Sequence, residues 1–307
     1  MRVVVIGAGV IGLTCAVTLA EAGHEVRVRA REIGTETTSG VAGAIWLPYR
    51  ALPVDRVTGW GAATLAELTA LAGGEPESGI VMRDGAKLLR EPGPDPWWSS
   101  AVPGLRRGEL LRPGYVDSYT FTTPVVEMPR YLPWLAQRAE NVGARISAEE
   151  VRRWPTDCDV VVNATGLGGT NLTGDTSTFP IRGQTVVVAP FGLTKWWVDD
   201  ADLTYVLPRS ADVVVGGTEI EGDWDLEPRP ETAAAILERA AQIVPEVRAA
   251  RVLAHRVGLR PGRPEVRLER ETLPGGPPVV HCYGHGGAGV TLSWGCAAEV
   301  RDLVESA

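Results

Sequence analysis

Lysine is almost missing from this 307-residue chain: Lys87 and Lys195 are the only two among 30 basic residues, leaving 28 arginines. That bias reads as the base composition of the gene and not as a binding surface. No block of one charge sign stands out either. The 38 acidic and 30 basic residues are interspersed, for a net charge of −8, which excludes a chain built to collect phosphate counterions, so nucleic acid is not an expected partner. No apolar run approaches the roughly 18 residues needed to cross a bilayer, and no membrane partner is expected. Cysteine is sparse. Cys15, Cys158, Cys282 and Cys296 form neither a CxxC pair nor a metal-ligand spacing, and three of them sit among apolar or small neighbours. Buried, reduced thiols and no metal site are therefore expected, and a disulfide-stapled module is excluded. The first residues, MRVVVIGAGVIG, lack the cationic stretch, apolar core and cleavage site of a signal peptide, and the ending ValGluSerAla is not a peroxisomal address. A cytoplasmic, reducing location is the expectation.

With 44% hydrophobic and 22% charged residues, the chain has the composition of a globular protein large enough for one big domain or two interlocked ones. Residues 3–6 are a short apolar β-branched run ended by Gly7. A helix-compatible stretch follows from Gly12 to Gly23, and residues 25–28 alternate like a second strand. This is a βαβ unit of about 30 residues with parallel neighbouring strands. Residues 159–163 re-enter the same sheet much later. Residues 50–130 are rich in Pro, Gly and Trp with short strand-like pieces at 79–82 and 119–123, and antiparallel strands are predicted between 180 and 220. Helices are predicted at 129–142, with Leu132, Leu135 and Ala139 on one face, and at 230–244, with Ala233, Ile236, Leu237 and Ala240. No repeat or clean linker divides the chain. The expected fold is α/β, a Rossmann-type domain (1–50, 136–175 and 256–307) interleaved with a mixed, largely antiparallel β domain (51–135 and 176–255).

The hexad Gly7-Ala8-Gly9-Val10-Ile11-Gly12 matches GxGxxG in the context that gives the pattern meaning, after a strand and opening a helix. Gly7 permits the turn, Gly9 admits a pyrophosphate to the backbone, and Gly12 lets helix and strand pack closely. The ribose-binding acid expected about 20 residues further on is ambiguous: Glu32 or Arg31 stands there. A second glycine-rich run, 281–291, reads either as another backbone cradle or as a structural turn with two histidines.

Four ordered segments resemble the D-amino-acid oxidase family of FAD-dependent flavoenzymes. They are the opening RVVVIGAGVIG; 37–49, TTSGVAGAIWLPY; 258–271, GLRPGRPEVRLERE; and 281–295, HCYGHGGAGVTLSWG. The resemblance implies oxidative deamination of a D-amino acid, with hydride transfer to noncovalent FAD and dioxygen as acceptor, giving a 2-oxo acid, ammonia and hydrogen peroxide. Glycine oxidase or another amine-oxidising relative is the alternative, and a homodimer is left open. Arg260 and Tyr205 match the pair that binds the substrate carboxylate, and Gly287 the carbonyl that meets its amino group. No acid–base catalytic residue is implied, because the cofactor carries the difficult step. His281 and His285 are read as structural. FAD contacts are implied for Gly7 to Gly12, Thr37, Thr38 and Ser39, for Gly43, Ala44 and Ile45, for Val151 and Thr165, and for Gly286, Gly287, Gly289, Val290 and Thr291. Ala201 stands where eukaryotic members carry a second tyrosine. For the side-chain pocket, Arg50 and Arg209 are expected to point outward into solvent. Glu219, Ile45, Trp46 and Leu47 are expected to border it, favouring neutral and hydrophobic D-amino acids, tolerating D-lysine or D-arginine, and disfavouring D-aspartate and D-glutamate.

Overall fold

A computed structural model of the chain describes residues 1–109, 111–199 and 201–306. The run at 3–6 forms the strand Arg2–Ala8, whose side chains alternate between two layers. Val3 and Val5 join the main core beneath the helices, while Val4 and Ile6 pack with Val161, Val279 and Cys158 on the other face. A β-branched run buried on both faces marks a parallel sheet covered on both sides. This strand lies between Glu25–Ile33 and Val160–Asn163, parallel to both, with Val3 opposite Val26 and Val160. Val279–Tyr283 extends the sheet parallel to Val160–Asn163, Arg145–Ala148 pairs parallel to Glu25–Ile33, and Arg267–Glu271 adds an antiparallel edge. The doubly wound, Rossmann-type arrangement expected from the sequence is present.

Helix α1 (Val10–Glu21) follows the glycine turn directly. Helix α2 (Val54–Gly74) is a 21-residue element within the stretch that reads from composition as irregular. Its buried positions Val57, Trp60, Gly61, Thr64, Leu65, Leu68 and Leu71 recur at three- and four-residue intervals. Glycine and threonine on that stripe hide the period from a hydrophobicity reading. Helix α3 (Met128–Asn141) buries Leu132, Leu135 and Ala139, as predicted, and packs on α1. After the short α4 (Gly169–Thr173), helix α5 (Pro230–Ile243) lays Ala233, Ile236 and Ala240 against one face of the second sheet, with Leu237 partly buried beside them. The last helix, α6 (Gly289–Glu305), crosses α1 and α2.

The second sheet is mixed and largely antiparallel. Its path runs Ile220–Glu221, Phe179–Val188, Val213–Gly216, Thr204–Pro208, Trp196–Asp199, Ile80–Leu89, Asp117–Val126 and Arg106–Arg107. The long strand Val252–Gly262 pairs antiparallel along Phe179–Val188, so it carries residues from both sides of the expected boundary at 256. In the strand Thr204–Pro208, Val206 faces α5, while Tyr205 and Leu207 face the opposite way, toward the parallel sheet. That two-residue alternation places a polar and an apolar side chain together over one cavity.

The close approach of α2 and α6 depends on Gly295. A Cβ there would lie 2.3 Å from the Trp60 carbonyl oxygen and 2.4 Å from its Cα. The Gly295 N–H donates to Thr64 Oγ1 at 3.0 Å, and Trp60 Nε1 donates to Glu299 at 2.7 Å. Gly295→Ala should therefore destabilise the protein by about 1–3 kcal/mol. Gly73→Ala, where a Cβ meets nothing within 4 Å, should be neutral or stabilising by up to about 1 kcal/mol. Urea unfolding of the two variants separates packing from helix propensity, and equal midpoints would contradict the assignment.

Candidate active site

The cavity starts at the glycine turn. Gly7 has φ +112°, and a Cβ on it would sit 2.4 Å from the Ala164 carbonyl oxygen, so only glycine fits. Gly9 faces Ser39 Oγ, 3.0 Å from where a Cβ would be, and the Val10 N–H donates to that same oxygen at 3.0 Å. The opening of α1 thus presents backbone N–H groups and the positive end of a helix to the cavity. Gly12 lies outside the lining: its missing Cβ would stand 1.9 Å from the Gly7 carbonyl oxygen, and its part is to bring helix and strand together. Apart from Trp46 and Glu219, every other residue singled out in the sequence for cofactor or substrate lines this one cavity of about 970 Å³, the upper end of the ~300–1,000 Å³ typical of small-molecule sites.

At one end stand Arg31 and Glu32, which pair with each other at 2.9 Å, both exposed. Glu150 and Arg152, not foreseen from sequence, pair beside Val151 at 2.6 Å. Thr165 donates through its hydroxyl to Asn163 Oδ1 at 2.7 Å. Asn163 in turn lies 3.2 Å from His281 Nδ1, whose Nε2 is 2.9 Å from Glu271. Burial, reinforced by Arg267, lowers the His281 pKa, while Glu271 works against that shift. His281 is a buried strut under the turn that carries Thr165.

At the other end, Tyr205 and Arg260 meet over glycines of neighbouring strands. Tyr205 is paired with Gly216 across the ladder, and a Cβ there would fall 2.0 Å from the Tyr205 ring. The Arg260 guanidinium lies across Gly183, where a Cβ would come within 2.5 Å of Nη1. Arg260 donates to the Thr218 carbonyl at 2.9 Å, and among the described residues it has no carboxylate partner. Burial pushes the Tyr205 phenol up, against the charge and hydrogen bond of Arg260, so the hydroxyl stays protonated. Gly287 brings bare backbone beside Tyr49, 2.8 Å from a virtual Cβ. Ile45, Leu47, Val198, Leu203 and Leu207 supply apolar wall. Ala44, Arg50 and Leu203 hold left-handed backbone at φ 57°, 40° and 45° around this end. Such strain in non-glycine residues concentrates at functional sites.

Three expectations need correction, those for Trp46, Arg209 and Glu219. Trp46 does not border the cavity: it is fully buried and donates from Nε1 to the Gly61 carbonyl at 2.9 Å. Arg209 is not solvated but buried, held by Asp212 at 2.6 and 2.8 Å. Arg50 is exposed, as expected, and is engaged by Glu219 and, at 3.2 Å, by Glu221. Glu219 does not border the cavity: it lines a smaller depression beside it and is paired with Arg50. Ala201 is exposed and lines the same depression. All four cysteines are free and buried. The fold brings Cys282, His285 and Cys296 together, their ligand atoms within 4.8 Å of one another, which no sequence spacing reveals. At Cys282 the neighbouring Cys15 thiol pulls the pKa down, but the Cys296 thiol and burial outweigh it and push it up, burial raises that of Cys296, and Cys15, Cys282 and Cys296 pack within the apolar core.

His285 is pulled down from 6.5 to about 4 by burial. Because the unfolded chain binds that proton at higher pH, stability should fall as pH drops from about 6.5 toward 4, by about 1.4 kcal/mol per unit for one such group. His281 acts in the same direction. Unfolding midpoints at pH 7 and pH 5 should differ less in His285→Leu than in the unaltered protein, and equal pH slopes would contradict this reading.

Residues 2–303 match the family described as FAD dependent oxidoreductase. The chain is 51% identical over 315 residues to a D-amino-acid oxidase of Rubrobacter xylanophilus, covering 100% of this chain and 96% of that protein. It is 45% identical to a D-amino-acid oxidase of Streptomyces coelicolor, with 98% and 96% covered. Among solved structures, glycine oxidase from Bacillus cereus superposes with a TM-score of 0.81 at 22% identity, over 99% of this chain and 95% of that one, a likeness of fold alone. The glycine turn, the single long cavity and the match along nearly the whole length agree: the chain belongs to the D-amino-acid oxidase family of FAD-dependent oxidoreductases.

Proposed function

We propose that this enzyme oxidatively deaminates D-amino acids with neutral or hydrophobic side chains. The observation that carries the reading is Arg260, a guanidinium with no carboxylate partner among the described residues, aimed with Tyr205 into the cavity that begins at the glycine turn. An α-carboxylate supplies the missing charge in a geometry suited to a planar fork. The names of the two relatives at 51% and 45% identity support the choice of substrate class.

The glycine turn and the N-terminus of α1 hold the pyrophosphate, and Thr37, Thr38 and Ser39 the adjoining part of the cofactor. Val151 and Thr165 lie with the adenosine half, and Gly43, Ala44, Ile45 and 286–291 along the ring. Bound FAD supplies a two-electron oxidant for the Cα–H bond, with dioxygen as the final acceptor and hydrogen peroxide as product. The chain's own task is orientation. Arg260 and Tyr205 fix the carboxylate, the Gly287 carbonyl accepts from the amino group, and the side chain lies against Val198, Leu203 and Leu207. His285, kept neutral by burial, adds no charge there. The two relatives named D-amino-acid oxidase, at 51% and 45% identity, favour this reading over glycine oxidation, for which the likeness is of fold alone. The cofactor part comprises 1–50, 136–175 and 263–306, the strand Val252–Gly262 belonging to the second sheet.

Arg260→Ala should keep the yellow colour but lose on the order of 2–5 kcal/mol in kcat/KM, with Tyr205→Phe losing about 0.5–1.5 kcal/mol. Near-normal turnover in Arg260→Ala would remove the anchor from the account. Acid precipitation should release the flavin into the supernatant, and colour retained on the pellet would contradict noncovalent binding. An oxygen-uptake screen should favour D-methionine over D-aspartate in kcat/KM, and the reverse order would overturn the substrate assignment.

A further inference from the structure

Beside the large cavity opens a second depression of about 590 Å³, and Tyr49 and Leu203 wall both. Four charged side chains line it: Arg50, Asp202, Glu219 and Arg239. Two of them are committed to neighbours outside the pair of interest. Arg239 donates to Thr204 Oγ1 at 3.2 Å and to the Gly217 carbonyl at 2.8 Å, and Asp202 pairs with Arg90. The other two pair with each other. Arg50 engages Glu219, and its other guanidinium nitrogen reaches the exposed Glu221 at 3.2 Å.

This pair stands next to the groups assigned to the substrate. Glu219 directly follows Thr218, whose carbonyl accepts from Arg260. The Arg50 carbonyl lies 3.4 Å from where a Cβ on Gly286 would be, one residue before Gly287. Glu219 is thus one residue from Thr218 and the Arg50 backbone adjoins Gly286, which places both members beside the substrate end. Glu219 is the less accessible of the two, with 22% of its side chain exposed against 48% for Arg50.

We propose that the Arg50–Glu219 pair sets the enzyme's selectivity for side-chain charge. Paired, the two present no net charge beyond Tyr49 and Leu203, and neutral side chains are accepted. Removing the acid uncovers a cation suited to a second carboxylate, and removing the base uncovers an anion suited to an ammonium or guanidinium. Selectivity of this kind is a difference between two affinities, set as much by what the site rejects as by what it holds. The inference rests on Arg260 binding the α-carboxylate, as proposed above.

The test uses the FAD-loaded enzyme and three substrates of similar size, D-glutamate, D-glutamine and D-lysine, each rate expressed relative to D-glutamine so that a general loss of activity cancels. Glu219→Gln, and more so Glu219→Gln with Glu221→Gln, should raise the D-glutamate ratio at least about tenfold and lower the D-lysine ratio. Arg50→Gln should do the opposite, and Glu221→Gln alone should shift either ratio less than threefold. Glutarate binding, followed by perturbation of the visible flavin spectrum, should tighten in Glu219→Gln and weaken in Arg50→Gln, a readout that needs no turnover. Ratios and glutarate affinities within twofold of the unaltered enzyme, or shifts of the same sign in both variants, would overturn the proposal. An unaltered enzyme inactive on D-glutamine and D-methionine alike would instead overturn the substrate reading, and this inference with it.

Discussion

The arrangement of the substrate end depends on one electrostatic imbalance: a guanidinium facing a cavity with a backbone carbonyl for company and no acid among the described residues. A charge in such a place is costly unless a ligand completes it. The surrounding sheet is built to keep it there. Glycine at 183 lets Arg260 lie flat on the neighbouring strand, and glycines at 216 and 217 do the same for Tyr205. Where most sheet positions gain from a β-branched side chain, these give up packing so that two polar groups converge.

The opposite end of the cavity rests on a different economy of space. Gly7 and Gly12 bring the first strand, α1 and the turn at Ala164 into contact that no Cβ allows. Backbone N–H groups are then what the cavity meets. Behind the turn, the buried Asn163 and His281 and the half-exposed Glu271 form a polar chain whose members satisfy one another, which rigidifies the loop bearing Thr165. Two sheets of different construction therefore each supply half of one cavity, a backbone cradle from the parallel sheet and fixed side chains from the antiparallel one.

The parts of this design legible in the sequence are those set by near neighbours. The βαβ unit shows because strand, glycine turn and helix are contiguous, and residues 159–163 show because a strand buried on both faces is continuously apolar. Helix α2 was masked by Gly61 and Thr64 on its buried stripe and by the Pro, Gly and Trp around it. The pocket charges were misjudged because ion pairing is not written in local composition. Asp212, three residues on, neutralises Arg209 within a turn, while Glu219 meets Arg50 only through the fold. Trp46 looked like pocket wall because its neighbours Ile45 and Leu47 are, yet the bridge between Ile45 and Val125 sends it to the core side.

The central claim is that an amino acid of D configuration, held by Arg260 and Tyr205, meets FAD inside this one cavity. Mixing the FAD-loaded enzyme with one equivalent of D-methionine in the absence of oxygen should bleach the visible flavin band, while L-methionine should leave it unchanged. Bleaching by both enantiomers, or by neither, would contradict the account.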